Sequence, residues 1–231
     1  METAQSDSHG ASSSEGFADA FKAHGFRCTD TPDREGIFCT GGSPKTFVTI
    51  PKRLQRAEKL LFYAHGLVNV CGNGASGERY LKYESFTLLQ ANAIAIMPWR
   101  GAAGDTSFPL SQYIQKYDRI LGQQLPLILA GHSAAGPFFA SELNGNGKGI
   151  LSRVEKVLIL DGVYGDQASR WNQIFLSNPN LRLHLVSTTT ADRANRLYQN
   201  IRVENRSRVL KENLRGGHCE VPALYFKKLV K

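Results

Sequence analysis

The segment 131–135 reads Gly-His-Ser-Ala-Ala and lies between an apolar run and a stretch with helical spacing. A buried strand that passes directly into a helix must reverse sharply, so the residues two before and two after Ser133 have to be small. Gly131 and Ala135 meet this requirement. The turn would strain the backbone of Ser133 and place its hydroxyl at a helix N-terminus, where free N–H groups such as that of Ala134 favour negative charge. The pattern predicts a nucleophile for acyl transfer, with the Ala134 N–H as an oxyanion donor.

Ser133 would need an adjacent base, because a serine hydroxyl is a weak nucleophile near neutral pH. The chain has six histidines. His218 combines a late position with a glycine-containing loop, Arg-Gly-Gly-His-Cys-Glu, ahead of a helix predicted over 222–230. We therefore predict that His218 is the general base.

Two aspartates could orient His218. Asp161 ends an apolar run and precedes Gly-Val-Tyr-Gly, and a carboxylate at the mouth of a buried strand requires a charged or hydrogen-bonding partner. Asp192 follows Thr190, a residue suited to cap a helix over 191–201, and an acid in a first helical turn stabilises the helix dipole without catalysing anything. These residues favour Asp161, and Asp192 remains the alternative.

The four cysteines are even in number and placed where two disulfides are geometrically sensible. Cys28 and Cys39 lie in short strand-like runs that flank a turn, so a hairpin would bring their thiols together. Cys71 follows a suspected active-site loop, and Cys219 adjoins His218. Two bridges would indicate an oxidising compartment, whereas four buried free thiols are the alternative.

The elements that must position these residues follow a regular alternation. Short apolar runs, each typical of a strand covered on both faces, lie at 59–64, 93–97, 126–130, 157–160, 181–186 and, more weakly, 207–210. Stretches with helical spacing separate them, at 80–92, 113–122, 134–143, 167–176 and 191–201. This order predicts an α/β fold, a mostly parallel twisted sheet with helices on both faces in three layers.

The N-terminal part has a different pattern. A helix is predicted over 15–24, followed by the cysteine hairpin and by an alternating run, 45–51, that ends in Pro51. Because proline cannot donate to a sheet ladder, we interpret 45–51 as an edge strand. The hairpin and this strand would form an antiparallel edge of the sheet.

The elbow at Ser133 and the later position of His218 resemble the α/β-hydrolase superfamily, whose elbow pattern is Gly-x-Ser-x-Gly; this chain departs from it with Ala135 in the last position. The resemblance extends over roughly 45–231. It implies the chain order serine, acid, histidine, which both candidate acids satisfy. Most members place the acid after the later strand, as Asp192 would be, and some place it one strand earlier, as Asp161 is.

The resemblance also identifies the turn after the 59–64 strand as part of the oxyanion hole. It assigns the second oxyanion N–H to Leu67 and implies that Gly66 allows close approach of the backbone. We place His65, Gly66, His132 and Tyr164 at the substrate-binding site, with His65 more suited to supporting the loop than to catalysis.

A serine hydrolase of this kind would cleave an ester through an acyl-enzyme, without metal or organic cofactor. Only residues 162–180 separate Asp161 from Leu181, which leaves room for one helix and little or no cap. An open site suits a polar, bulky or polymer-attached acyl substrate. A peptidase or amidase on the same triad, and a non-catalytic binding protein on a hydrolase scaffold, remain alternatives.

Composition and charge limit the remaining possibilities. The 231 residues suit a single domain, expected over 15–231 behind a disordered tail, 1–14, without the apolar core of a signal peptide. The net charge of +8 is spread along the chain and indicates either a solvated basic surface or attraction to an anionic substrate or envelope. No nucleic-acid motif and no apolar run long enough to span a bilayer occurs. We expect an exported protein, with a cytoplasmic one as alternative; the oligomeric state is open.

Overall fold

The computed structural model describes residues 13–66, 71, 77–99 and 109–228. Within them the chain forms one nine-stranded sheet in the order β1-β2-β3-β5-β4-β6-β7-β8-β9. The strands are β1 Arg27–Asp30, β2 Gly36–Gly41, β3 Thr46–Pro51, β4 Leu60–Ala64, β5 Ile94–Pro98, β6 Leu127–His132, β7 Val154–Leu160, β8 Arg182–Ser187 and β9 Val209–Asn213. The helices are α1 Ser14–Ala23, α2 Gly77–Thr87, α3 Leu110–Leu121, α4 Ala135–Asn144, α5 Lys148–Leu151, α6 Ala168–Ser177, α7 Ala191–Asn200 and α8 Val221–Lys228.

The two faces of the sheet bury separate cores, which is why its strands are apolar throughout. Along β4, Leu60 and Phe62 pack on the face that α1, α3, α4, α6 and α7 cover, whereas Leu61 and Tyr63 point to the opposite face with α2 and α8. Successive side chains of a strand point to opposite faces, so a strand between two helical layers needs apolar residues at every position. The three-layer architecture predicted from the alternation is present.

The antiparallel part of the sheet differs from the prediction in one respect. β1, β2, β3 and β5 pair antiparallel and the remaining pairs are parallel, but the edge strand is β1, and β3 lies inside the sheet between β2 and β5. The prediction that 45–51 forms an edge was wrong because Pro51 lies beyond the residues that pair with β5. That pairing ends at Thr49 and Ala95, so the missing N–H of Pro51 interrupts no bond to β5.

Other boundaries shift by a few residues, and one helix was not predicted. The stretch 80–92 contains α2, which ends at Thr87, and a 3-10 turn over Leu88–Ala91 that ends at Asn92 in a left-handed conformation, φ 49°. The short α5 follows a glycine-rich segment that masks its helical spacing. None of the helices in the described residues has the length and apolar character needed to cross a membrane.

The parallel strands bring the loops that contain the candidate catalytic residues to one edge of the sheet. In the registers, Ala64 of β4 pairs with Gly131 of β6, and His132 pairs with Leu160 of β7, which pairs with Val186 of β8. The residues that follow these strands therefore meet at the carboxyl edge, where ligands of open parallel sheets bind.

Candidate active site

Ser133 lies in the turn between β6 and α4. Its φ is 55°, a left-handed conformation that is unfavourable for a residue with a side chain. The turn is held by hydrogen bonds from Ser133 N–H to the Leu160 carbonyl, 3.0 Å, and from Gly136 N–H to the Ser133 carbonyl, 3.1 Å. The sharp reversal and the strained serine expected from the small flanking residues are both observed, at the N-terminus of α4.

The glycines around the turn are required by close packing. A Cβ added at Gly131 would lie 2.7 Å from the Phe139 ring and 3.0 Å from Cβ of Ala135. A Cβ at Gly136 would lie 2.0 Å from the carbonyl oxygen of Gly162. The methyl group of Ala135, the last residue of the Gly-x-Ser-x-Gly pattern, is accommodated in the buried turn. The position that cannot carry a side chain is therefore the next one, Gly136.

Asp161 directly follows β7 beside the serine turn and is completely buried, with φ 46°. Its carboxylate accepts hydrogen bonds from the backbone N–H and the hydroxyl of each of Thr188, Thr189 and Thr190, at 2.6–3.3 Å. Burial works to raise the pKa of Asp161, but the hydrogen bonds from Thr189, His218 and the neighbouring N–H groups outweigh it and hold that pKa well below its usual range. The carboxylate is therefore ionised and fixed in direction.

His218 is the residue that Asp161 contacts across the sheet edge. Its Nδ1 donates to Oδ2 of Asp161 at 2.7 Å, which leaves Nε2 as the proton acceptor that a general base needs. Among the described residues the bonds of His218 go to Asp161 and His132 and none joins it to the Ser133 hydroxyl. Hydrogen bonds of this kind often tighten only when substrate binds.

Asp192, the alternative acid, lies exposed in the first turn of α7. Of the described carboxylates, Asp161 is the one that bonds His218. The position of Asp192 fits the structural interpretation of an acid at a helix N-terminus.

Gly66 follows β4 and presses against the serine turn. A Cβ at this position would lie 2.6 Å from Cβ of Ser133 and 2.8 Å from the Ala134 nitrogen. Only glycine allows this approach. Leu67, to which the family resemblance assigned the second oxyanion N–H, lies outside the described residues, whereas Ala134 is at the N-cap of α4.

Two further predicted site residues, His65 and Tyr164, differ in burial and in the groups that they contact. His65 is buried, its Nδ1 donates to the Gly66 carbonyl at 2.8 Å and its ring lies 5.5 Å from that of Trp99, so it supports the turn after β4. Tyr164 is half-buried, with the Arg193 guanidinium 5.1 Å from its ring centre.

His132 is buried between the serine turn and the His218 loop. Its Nε2 donates to the His218 carbonyl at 3.0 Å, and the two imidazole rings lie 4.7 Å apart. Nδ1 lies 4.0 Å from Oε1 of Glu84, which accepts the Tyr63 hydroxyl at 2.8 Å. Burial, followed by the nearby His218, lowers the pKa of His132 to about 4, and burial raises the pKa of Glu84 to about 7. Between these values both groups are neutral, so their contact is not an ion pair.

Sequence reasoning missed two groups of residues at this site. Three consecutive threonines after β8 were a visible signal, but Thr190 was interpreted as a side-chain helix cap; its hydroxyl instead donates to Asp161, and no side-chain cap bond forms. Glu84 and Tyr63 carry no local signal, because they come from α2 and β4 and meet only in the folded chain.

Both disulfides form, between Cys28 and Cys39 and between Cys71 and Cys219. The second joins the segment after β4 to the neighbour of His218. The Cys71 sulfur and ring nitrogens of His132 and His218 lie within 4.8 Å of one another, but the disulfide occupies the sulfur that a metal would need as a thiolate.

The chain was compared with family models, with curated proteins and with solved structures. No family model matches the chain, and no curated protein matches it in sequence. Among solved structures, a mutant of the esterase rPPE is similar with a TM-score of 0.53 and 12% identity, over 94% of this chain and 88% of that one. A structure from a study of two fungal esterases of Rhizomucor miehei is similar with a TM-score of 0.53 and 12% identity, over 88% and 80% of the two chains. At these identities the shared property is the fold.

Proposed function

We propose that this chain, which has the α/β-hydrolase fold, is a serine hydrolase that cleaves esters with Ser133, His218 and Asp161. The observation that carries the proposal is the 2.7 Å hydrogen bond from His218 Nδ1 to the buried Asp161, beside a serine with a φ of 55° at a helix N-terminus. A structural serine would not need the strained turn, and a structural histidine would not need an ionised carboxylate fixed by three threonines.

The proposed reaction has two steps. Ser133 Oγ attacks the ester carbonyl while Nε2 of His218 removes its proton, and Asp161 stabilises the imidazolium that forms. The Ala134 N–H and, by the family resemblance, that of Leu67 hold the oxyanion, each such donor contributing about 3 kcal/mol of transition-state stabilisation. His218 then protonates the leaving alcohol, and water hydrolyses the acyl-enzyme by the same steps. These steps call for no metal or cofactor.

The proposed substrate is polar, bulky or attached to a polymer, and carries negative charge. Between β7 and β8 the chain forms the single helix α6, which packs against α4 and α7 in a layer of the sandwich rather than as a cap. A cleft of about 230 Å³ along α7 is lined by Arg193 and Arg196, with one carboxylate, that of Asp166, opposing their two positive charges. Because neither arginine is in an ion pair among the described residues, both are available to an anion. The two disulfides agree with export into an oxidising compartment.

A fluorophosphonate probe tests the catalytic proposal directly. The native protein should be labelled covalently, the Ser133→Ala variant should not, and Ser111→Ala should be labelled like the native protein, since Ser111 is a hydrogen-bonded serine on α3 away from the turn. Absence of labelling in the native protein would contradict the proposal and favour a non-catalytic scaffold.

Substrate panels test the specificity. Esters with an anionic leaving group should be cleaved with a higher kcat/KM than neutral esters of matched size. Arg193→Ala with Arg196→Ala should remove that preference while leaving the neutral esters unchanged, and Arg182→Ala, at the opposite end of β8, should keep it. A strong preference for long acyl chains, or faster cleavage of peptide anilides than of nitrophenyl esters, would contradict the proposed substrate.

A further inference from the structure

The loop that carries His218 is anchored on one side by the disulfide between Cys219 and Cys71. It contains Gly216 with φ 151° and Gly217, whose N–H is bonded to the Glu220 side chain at 2.8 Å. The side chain of His218 is 18% exposed. Asp161 fixes the direction of the imidazole through Nδ1, but a bond at the ring does not by itself fix where the backbone of the loop lies.

His132 supplies a contact to that backbone. Its Nε2–H donates to the His218 carbonyl at 3.0 Å, and its ring packs at 4.7 Å against the His218 ring with an angle of 34° between their planes. Because His132 is the last residue of β6 and directly precedes Ser133, this bond ties the base to the strand that carries the nucleophile. A displacement of about 1 Å between such groups can cost on the order of a hundredfold in rate.

Glu84 lies near the other ring nitrogen of His132 and is bonded by Tyr63. Glu84 Oε1 lies 4.0 Å from Nδ1 and accepts the Tyr63 hydroxyl at 2.8 Å, and Oε2 is buried without a hydrogen bond among the described residues. Because burial raises the pKa of Glu84 to about 7, this carboxyl is mostly protonated below neutral pH. It therefore does not draw a proton onto His132, whose positive charge would oppose the imidazolium that forms 4.7 Å away on His218.

We propose that His132, with Glu84 beside its Nδ1, is a positioning residue that fixes the general-base loop relative to the nucleophile through the carbonyl of His218. This inference rests on the proposed function, since it assigns a role beside the same catalytic base. His132 does not touch the substrate in this role; it acts through His218.

Two amide substitutions of matched polarity test the proposal. The amide nitrogen of His132→Gln reaches about as far as Nε2, so this variant should keep the bond and a kcat within about threefold of the native value. The amide of His132→Asn reaches only as far as Nδ1, so its kcat should fall on the order of 10- to 100-fold, with KM within about twofold. Equal kcat in the two variants, whether both native-like or both reduced, would overturn the proposal.

Proton NMR gives a readout that does not depend on turnover. The low-field resonance of the His218 Nδ1 proton, bonded to Asp161, should be retained in His132→Gln and shifted or broadened in His132→Asn; an identical resonance in both would overturn the proposal. Thermal melts establish that each variant is folded, and spectra at low temperature provide the same comparison for a variant that melts early. If the native protein is not labelled by fluorophosphonate, the proposed function fails, and the NMR comparison still tests the positioning.

Discussion

Glu84 and His132 should give the free energy of unfolding opposite dependences on pH, which single substitutions separate. Both side chains are buried beside the candidate active site, and burial favours the neutral form of each. For Glu84 the neutral form is the protonated one, whereas for His132 it is the deprotonated one. The perturbations are Glu84→Gln and His132→Gln, each of which replaces a titrating group by a neutral amide of similar size.

The pKa values give the magnitude and sign. The pKa of Glu84 is raised from 4.5 to about 7, so its contribution to stability is present below pH 4.5 and is lost as the pH rises to 7. The pKa of His132 is lowered from 6.5 to about 4, so its contribution is present above pH 6.5 and is lost as the pH falls to 4. Each shift corresponds to about 3 kcal/mol, from roughly 1.4 kcal/mol per pKa unit.

In the native protein these two effects oppose each other between about pH 4.5 and 6.5. Relative to the native protein, Glu84→Gln should gain stability as the pH rises from 4.5 to 7, by about 3 kcal/mol. Relative to the native protein, His132→Gln should lose about 3 kcal/mol of stability as the pH rises from 4 to 6.5, because only the native protein gains stability there. Using differences from the native protein removes the contributions of other titrating groups, such as Asp161.

Urea denaturation at a series of pH values, with linear extrapolation to water, measures these free energies. For a chain of this size, 3 kcal/mol corresponds to a change of roughly 6–12 °C in Tm, so thermal melts provide a second measurement. If either variant follows the pH dependence of the native protein in parallel, the corresponding group titrates alike in the folded and unfolded states, and the reasoning from burial is refuted.

Three further predictions concern the active site. Each is measured as kcat on a nitrophenyl ester, and the last one also as the free energy of unfolding in urea. Asp161→Asn should lower kcat by about 10⁴-fold, whereas Asp192→Asn should leave it within about twofold; the reverse result would make Asp192 the acid. Gly66→Ala should lower kcat at least 100-fold, because its Cβ would lie 2.6 Å from Cβ of the serine, and native activity would show that the turn can move. Replacing Cys71 and Cys219 together by alanine should cost about 2–4 kcal/mol of stability and lower kcat, while unchanged values would show that the bridge does not hold the base loop.

Much of the fold was predictable because its signals are local. The apolar runs and helical stretches report burial on one or two faces within a few residues, and they predicted the strands and helices from β4 to α8, apart from the short α5, with small shifts at their ends. The hairpin disulfide was equally accessible, since Cys28 and Cys39 are separated by 11 positions and a turn. The strained conformation at residue 133 follows from its small neighbours.

The order of strands was only partly predictable. The run 45–51 has the composition of an edge strand, but β5 pairs with β3 from a position more than forty residues later in the chain. Which strand lies at an edge depends on such a pairing between distant segments. Pro51 is compatible with an inner strand because the pairing of β3 with β5 ends at Thr49, before the proline.

The strand–turn–helix around Ser133 and the histidine loop after the last strand could be predicted from the residues alone, because spacing and residue size within short segments are sufficient for both. Which carboxylate bonds His218 could be seen only in the folded chain, since Asp161 and Asp192 follow neighbouring strands and differ in which of them faces the loop. The threonines around Asp161 and the contact of Glu84 with His132 were decided in the same way. These groups come together from separate strands and helices, and their burial, which sets their charge, exists only once the sheet has formed.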